Sequence, residues 1–377
     1  MARRGFLGLH VIGCGFGECI ILEFPNSAPA IIDCGDVEVA VFATGFVKHE
    51  LGWDELSFLA ATHPHRDHVE GMNILCGAFQ GKCGGVWVFP GFYVGKVFDR
   101  FIRWVELVKP DEEIDENFVS RNVMREWRGL VDFANQEKIV PREMCEGLGV
   151  IQVGEGVEIT CLLPCGLTAD TFRNALSNCA PAEETLKDRA AADNLKLSPP
   201  PRANLASSAL VIRWDKTNLL LCGDCELPAW KEWEKAGGKL LGEFHGLKIG
   251  HHGSDNGVFQ TVLNSVGHKT CGIITPYSRG KRPLPDDEAL EQYSKCCGFL
   301  RVTAKAGAVV DETRWGENAK AQLGAMCSAI AEPEGAATTL LKLVPKAGIH
   351  QNQVSLLFGK DGPSIEQHCG GATVRVV

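Results

Sequence analysis

The 377-residue sequence predicts an α/β fold, a four-layer sandwich in which two mixed β-sheets pack together beneath outer helices. Three observations carry that reading. Strand-like runs give way to a helix and then to a strand that stops in a ligand-rich loop, and this order occurs twice. Residues suited to chemistry fall in those strand-end loops, where open α/β folds place their sites. The composition, 45% hydrophobic and 23% charged, is that of a soluble chain able to bury a core without disulfides.

Residues 7–12, 19–24 and 30–32 read as three strands separated by Gly-rich and Asn-Ser turns, the last stopping at Asp33-Cys34-Gly35. Residues 37–51 read as a helix, 56–61 as a buried strand and 69–79 as a helix. An insertion at about 80–150 opens with a strand around 86–90. A charge-rich helical block over 96–136 comes next, where Phe98, Phe101, Ile102, Val105 and Leu107 recur at core spacing. Residues 157–163 form a strand. The stretch of about 166–203 mixes charge, alanine and Ser198-Pro199-Pro200-Pro201, which predicts a mobile loop or lid. Strands at 209–214 and 219–222 make a hairpin closing on Gly223-Asp224. Beyond it lie a helix at 227–236, strands at 247–249 and 272–275, and a helix at 286–296. Residues 1–310 thus read as one catalytic domain. Residues 311–377 read as an extension that packs on or completes the sandwich, with a helix at 317–330 and strands at 340–344 and 354–358.

With 38 Lys and Arg against 47 Asp and Glu, the net charge of −9 excludes broad electrostatic wrapping of nucleic acid but not a local basic groove. The 16 cysteines are mostly scattered singly and read as free, buried side chains in a reducing, cytoplasmic setting. Met1-Ala2-Arg3-Arg4 resembles an export signal only superficially, because His10, Gly13, Gly15, Gly17 and Glu18 interrupt the apolar stretch that such a signal needs. No uncharged apolar run approaches the ~18 residues of a membrane helix, so no membrane partner is expected.

The chemistry concentrates in His63-Pro64-His65-Arg66-Asp67-His68, three imidazoles and a carboxylate directly after a buried strand. Neutral histidine nitrogens and carboxylate oxygens suit zinc, manganese or iron. Spacing of two lets His63 and His65 hold one metal, and Asp67 and His68, past the bend, a second. Asp224 and the pair His251-His252 sit at equivalent strand-to-loop junctions, and an aspartate between two metals can bridge them. Such a pair would polarise a substrate and generate hydroxide near neutral pH. Arg279, Lys281 and Arg282 form a basic cluster suited to an anionic substrate. Gly13 to Gly17 joins two strands rather than strand to helix, so it is a poor nucleotide loop.

The His-x-His-x-Asp-His string resembles the signature of the metallo-β-lactamase superfamily. Flanking segments are similar to the metallo-β-lactamase-like domain of the competence DNA-uptake protein ComEC. They are His10 through Glu18, Ile31 through Gly35, Thr62 through Gly71, Asn204, Ser208 through Val211, Leu220 through Asp224, and Leu247 through Ser254. The resemblance implies an αββα fold and two divalent metals, zinc first and manganese second. It also implies hydrolysis of an ester, amide or phosphodiester. Carried over, His63 and His65 bind metal one, Asp67, His68 and His251 metal two, and Asp224 bridges. His251 is preferred because it comes directly off the strand through Gly250. Asp67 and His252 are the catalytic residues, His252 as proton donor to the leaving group. Asp33 orients a ligand histidine. Lys248, Ser254, Arg279 and Arg282 contact the substrate.

This chain departs from the family in three ways. No histidine lies between residues 69 and 244, so metal one would be under-ligated, weak, or completed by water or substrate. The ComEC-like Asn-Arg-x-Gly-His-Pro is replaced by Ser278-Arg279-Gly280-Lys281-Arg282-Pro283, exchanging an acid for a bidentate phosphate contact. ComEC's membrane channel has no counterpart. The expectation is therefore a metal-dependent phosphodiesterase or nuclease acting on an anionic small molecule or nucleic acid. Alternatives are a lactone, thioester or β-lactam hydrolase, and a weakly active module that works through a protein partner.

Overall fold

Along most strands, alternate side chains enter two different cores, which explains why the strands read as nearly continuous apolar runs. A computed structural model describes residues 5–13, 17–91, 97–108, 121–193, 202–278, 283–303, 353–359, 362–370 and 373–375. The chain opens with a meander of β1 (Leu7–Gly13), β2 (Glu18–Phe24) and β3 (Ser27–Cys34). Cys19 and Ile21 of β2 face one core, Ile20 and Leu22 the other. Helix α1 (Val37–Gly45), capped by the Asp36 carboxylate, runs into a wider turn at Phe46–Glu50. Then come β4 (Phe58–Ala61), α2 (Arg66–Val69), α3 (Met72–Ala78), β5 (Val86–Val88), α4 (Val97–Val108), α5 (Arg121–Gln136) and β6 (Arg142–Glu143).

The second half holds β7 (Val150–Val153), β8 (Val157–Leu163), α6 (Gly166–Cys179), α7 (Arg189–Asp193), β9 (Ala209–Trp214) and β10 (Thr217–Leu221). After α8 (Leu227–Lys235) come β11 (Phe244–Lys248), α9 (Gln260–Leu263), β12 (Val266–Ile274), α10 (Asp287–Cys296) and β13 (Phe299–Val302). The last strands are β14 (Gln353–Gly359), β15 (Gly362–Gly370) and β16 (Thr373–Arg375). Two eight-stranded mixed sheets result, ordered β15-β14-β1-β2-β3-β4-β5-β6 and β16-β13-β12-β11-β10-β9-β8-β7.

The core between the sheets joins Leu9, Ile20, Ile32 and Phe58 of the first to Ile159, Ile212, Leu219 and Ile273 of the second. Phe58 and Trp87 stack within it at 3.8 Å between ring centroids. A second core lies between the first sheet and α1, α3, α4 and α5, and a third between the second sheet and α8, α9 and α10. This is the four-layer α/β sandwich. Strands near the chain's end belong to the sheets themselves: β14 pairs with β1, and β16 with β13. No described helix is long and apolar enough to cross a membrane. The described cysteines are free and most are buried.

One expectation is corrected. Much of the stretch read as a mobile lid, 166–203, is helical: α6, a short turn at Thr185–Lys187, and α7. Ala169, Phe172, Leu176 and Cys179 recur at three- and four-residue steps and are buried, a stripe hidden among polar neighbours. The Pro run at 199–201, the Gly13–Gly17 turn at 14–16, and the expected helix at 317–330 and strand at 340–344 lie outside the described residues.

The strand ends meet through close backbone packing. A Cβ added to Gly35 would fall 1.8 Å from the Asp67 carbonyl oxygen, and one at Gly17 would fall 2.6 Å from the same atom. Gly35→Ala is therefore expected to destabilise the fold by ~1–3 kcal/mol as an overpacked contact. The urea midpoint checks this, and an unchanged midpoint would refute the close approach.

Candidate metal centre

Parallel strands β3, β4, β10, β11 and β12 all end on one rim of the sandwich, and the ligand-type residues lie just beyond them. β4 hands over to Thr62, whose N–H donates to Asp33 Oδ1 at 2.7 Å and whose hydroxyl donates to Asp33 Oδ2 at 2.6 Å. The hydroxyl's single proton is thus engaged, so its oxygen accepts from His63 Nδ1 at 3.1 Å. That leaves His63 Nε2 with a lone pair, which lies 3.2 Å from His65 Nδ1. Asp33 Oδ2 also accepts from His68 Nδ1 at 2.8 Å, freeing His68 Nε2 in the same way. In the second half, His252 Nδ1 donates to the Thr275 carbonyl at 2.9 Å, freeing its Nε2. Three imidazoles therefore share one tautomer, with Nε2 turned inward.

Their common focus is Asp224 Oδ2, which lies 3.7 Å from His63 Nε2 and 3.5 Å from both His68 Nε2 and His252 Nε2. Asp67 Oδ2 sits 2.9 Å from His252 Nε2 and 3.6 Å from His68 Nε2. Besides Glu18, Asp33 and His68, two groups emerge, each with its ligand atoms within 4.8 Å of one another: Asp67, His68, Asp224 and His252, and His63, His65 and Asp224. Asp224 belongs to both, as a bridging ligand would. The three-residue group matches the missing histidine between 69 and 244, and three protein ligands leave a coordination position open.

The donor set fits divalent cations on a local observation. His68 Nε2 is buried and has no hydrogen-bond partner among the described residues. His252 Nε2 and Asp67 Oδ2 would be two acceptors in contact unless a proton or a metal lies between them. Burial lowers the pKa of His68, but Asp224, Asp67 and Asp33 outweigh it and hold it well above the ordinary value. Burial also lowers that of His252, and Asp224 and Asp67 again prevail to raise it. Burial works against ionised Asp224, yet His252, His68 and His63 keep its pKa well below the carboxylate range. His63 is the opposite case, its pKa depressed by burial and by charge on His68.

Two assignments made on sequence are corrected. His252, not His251, joins the ligand group. Both residues adopt positive φ, 47° and 52°, and this double left-handed turn after Gly250 swings the second imidazole inward. His251 instead stays half-buried, 3.5 Å from Asn204 Nδ2 and 3.8 Å from Glu226 Oε1, while its N–H donates to Asp224 Oδ1 at 3.1 Å. Lys248 is buried and ion-paired rather than exposed as a substrate contact would be. Strand alternation sends Leu247 and Ile249 outward, so fully buried Lys248 points between the sheets, 2.5 Å from Glu18 Oε2 and 2.8 Å from the Ile249 carbonyl. Ser254 is buried with its hydroxyl on Asp255 Oδ1 at 3.4 Å. Arg279 and Arg282 lie outside the described residues.

Glu18, Thr62 and Thr275 join the site without having been expected there as side chains that act on it. The signal for Glu18 and Lys248 was a charge of each sign inside otherwise apolar strands, which demands a partner when buried.

No protein-family model matches the chain, and no curated protein matches it. Solved structures with a similar trace include the metallo-β-lactamase fold protein YhfI from Bacillus subtilis, 11% identical, covering 80% of this chain and 97% of that one, TM-score 0.39. Tm1679, a metal-dependent hydrolase of the β-lactamase superfamily, is 12% identical over 80% of this chain and 96% of its own, TM-score 0.41. The diiron β-hydroxylase CmlA from Streptomyces venezuelae is 12% identical over 66% of this chain and 35% of its own, TM-score 0.31.

Two outcomes are expected. Metal uptake should displace protons from His68 and His252, whose pKa values the surrounding carboxylates raise. Apparent affinity should therefore fall as pH drops, and calorimetry in buffers of different ionisation enthalpy reads the released protons. His252→Ala should lose metal from the four-residue group while His251→Ala retains it, as elemental analysis would report.

Proposed function

We propose that this chain is a metal-dependent hydrolase of the metallo-β-lactamase superfamily, and that its substrate is a phosphodiester. The observation that carries the reading is the inward focus of three Nδ1-anchored imidazoles on Asp224 Oδ2, with no hydrogen-bond partner for His68 Nε2 among the described residues. His63, His65 and Asp224 would hold one cation, and Asp67, His68, Asp224 and His252 the other. Zinc, or manganese in its place, bound there would polarise the scissile ester and lower the pKa of attacking water.

The chain's own residues do the rest. Asp33 and Thr62 hold His63 and His68 in the ligating tautomer. The role of proton donor to the leaving group passes from His252 to His251. Its half-buried ring lies beside Asn204 and Glu226, and its Nδ1 has no hydrogen-bond partner among the described residues. Preference for an anion rests on Arg279, Lys281 and Arg282. The residues that bracket them, Tyr277 and Leu284, are bridged to each other, and the Tyr277 ring lies 5.3 Å from that of His252. The free cysteines fit a reducing, cytoplasmic compartment.

The test uses chelator-stripped protein with zinc or manganese restored, assayed on an aryl phosphodiester, single-stranded DNA, a lactone, a thioester and a β-lactam. Phosphodiester turnover should return with metal. His63→Ala and Asp67→Ala should lower kcat by more than the ~10–100-fold that substitutions outside the ligand shell cost. Turnover that survives both substitutions would refute the metal reading. A preference for neutral esters, unchanged by Arg279→Ala with Arg282→Ala, would refute the phosphodiester.

A further inference from the structure

Glu18 opens β2 and is 1% exposed; it stands outside both groups that share Asp224 and joins Asp33 and His68 in a third. Its backbone carbonyl accepts from Gly35 N at 3.1 Å, which ties it to the loop bearing Asp33. Its side chain reaches into the other half of the molecule. Oε2 accepts from Thr275 Oγ1 at 2.6 Å and from Lys248 Nζ at 2.5 Å. With the Thr275 hydroxyl proton so engaged, its oxygen lies 3.4 Å from His252 Nδ1, beside the Thr275 carbonyl that accepts the His252 Nδ1 proton at 2.9 Å.

This arrangement repeats the one in the first half. Asp33, Thr62 and His63 form a chain of carboxylate, hydroxyl and imidazole, and Glu18, Thr275 and His252 form a second, in which the threonine's carbonyl takes the imidazole proton and its hydroxyl lies 3.4 Å away. The difference is that Asp33 also serves His68 directly, whereas Glu18 is neutralised by a buried lysine. Glu18 Oε1 remains 4.0 Å from His68 Nδ1 without a hydrogen-bond partner among the described residues. An anion buried there needs a nearby cation, and Lys248 supplies one from the facing sheet.

From this juxtaposition we propose that Glu18, held by Lys248, is a positioning residue that fixes His252 through Thr275 and the Asp33 loop through Gly35. It thereby sets the geometry of the four-residue metal site from both sheets. The proposal rests on the metal-centre reading and adds a role to residues outside it.

Co2+ is the probe, titrated into metal-free protein and followed by its d–d absorption. The variants are Thr275→Val, which spares the ion pair, Thr275→Ser, and the neutral double exchange Glu18→Gln with Lys248→Met. The natural protein should bind two equivalents, the tighter one in the four-residue site. Thr275→Val and the double variant, with native circular dichroism, should weaken the tighter equivalent about 10–100-fold and shift its d–d bands. The weaker equivalent should be unmoved, and Thr275→Ser should restore the natural values. If the double variant does not fold, Thr275→Val decides. Natural affinity and bands in folded Thr275→Val would overturn the positioning role while leaving the metal centre standing. A natural protein that takes up no Co2+ would overturn both.

Discussion

Four carboxylates, Glu18, Asp33, Asp67 and Asp224, are buried together at one end of the sandwich, and most of the local structure answers that electrostatic constraint. Ionised carboxylates leave water only when cations or several donors meet them. Lys248 neutralises Glu18, while His68 and His252 face Asp33, Asp67 and Asp224. The histidines with raised pKa values are those set among the carboxylates.

The rim is assembled from both halves of the chain, and neither half closes it alone. The first contributes the continuous string from His63 to His68, the second Asp224, His252 and Thr275. Close backbone contacts at Gly17 and Gly35 bring the β2 and β3 ends against the Asp67 carbonyl. Left-handed backbone at His251 and His252 costs about 1–2 kcal/mol per residue. Such strain persists where surrounding contacts over-determine it, here the His251 N–H bonds to Gly223 and Asp224 and the His252 bond to Thr275.

The string His63 to His68 was legible because its members are near neighbours after a buried strand, so proximity in sequence guaranteed proximity in space. Asp224 was legible through its position after an apolar strand. The choice between His251 and His252 was not, because it depends on two dihedral angles that adjacent identical side chains do not encode. Lys248 reads as an available cation until strand parity is known, and parity is a property of the sheet. Helix α6 was overlooked because its four-residue apolar stripe is diluted by threonine, asparagine and serine. Burial against the first sheet, rather than intrinsic propensity, holds it helical.

The sequence by itself determined the layered α/β architecture, since strand and helix periodicities depend on local pattern. It also determined that metal-type ligands sit at strand ends. Only the tertiary structure decided which atoms converge. It selected the Nε2 tautomers through hydroxyl and carboxylate partners distant in the chain. It put His252 rather than His251 in the cluster and paired Lys248 with Glu18 across the two sheets. Those outcomes depend on distances of 2.5 to 3.7 Å between residues as far apart as positions 18 and 275, which no local pattern can specify.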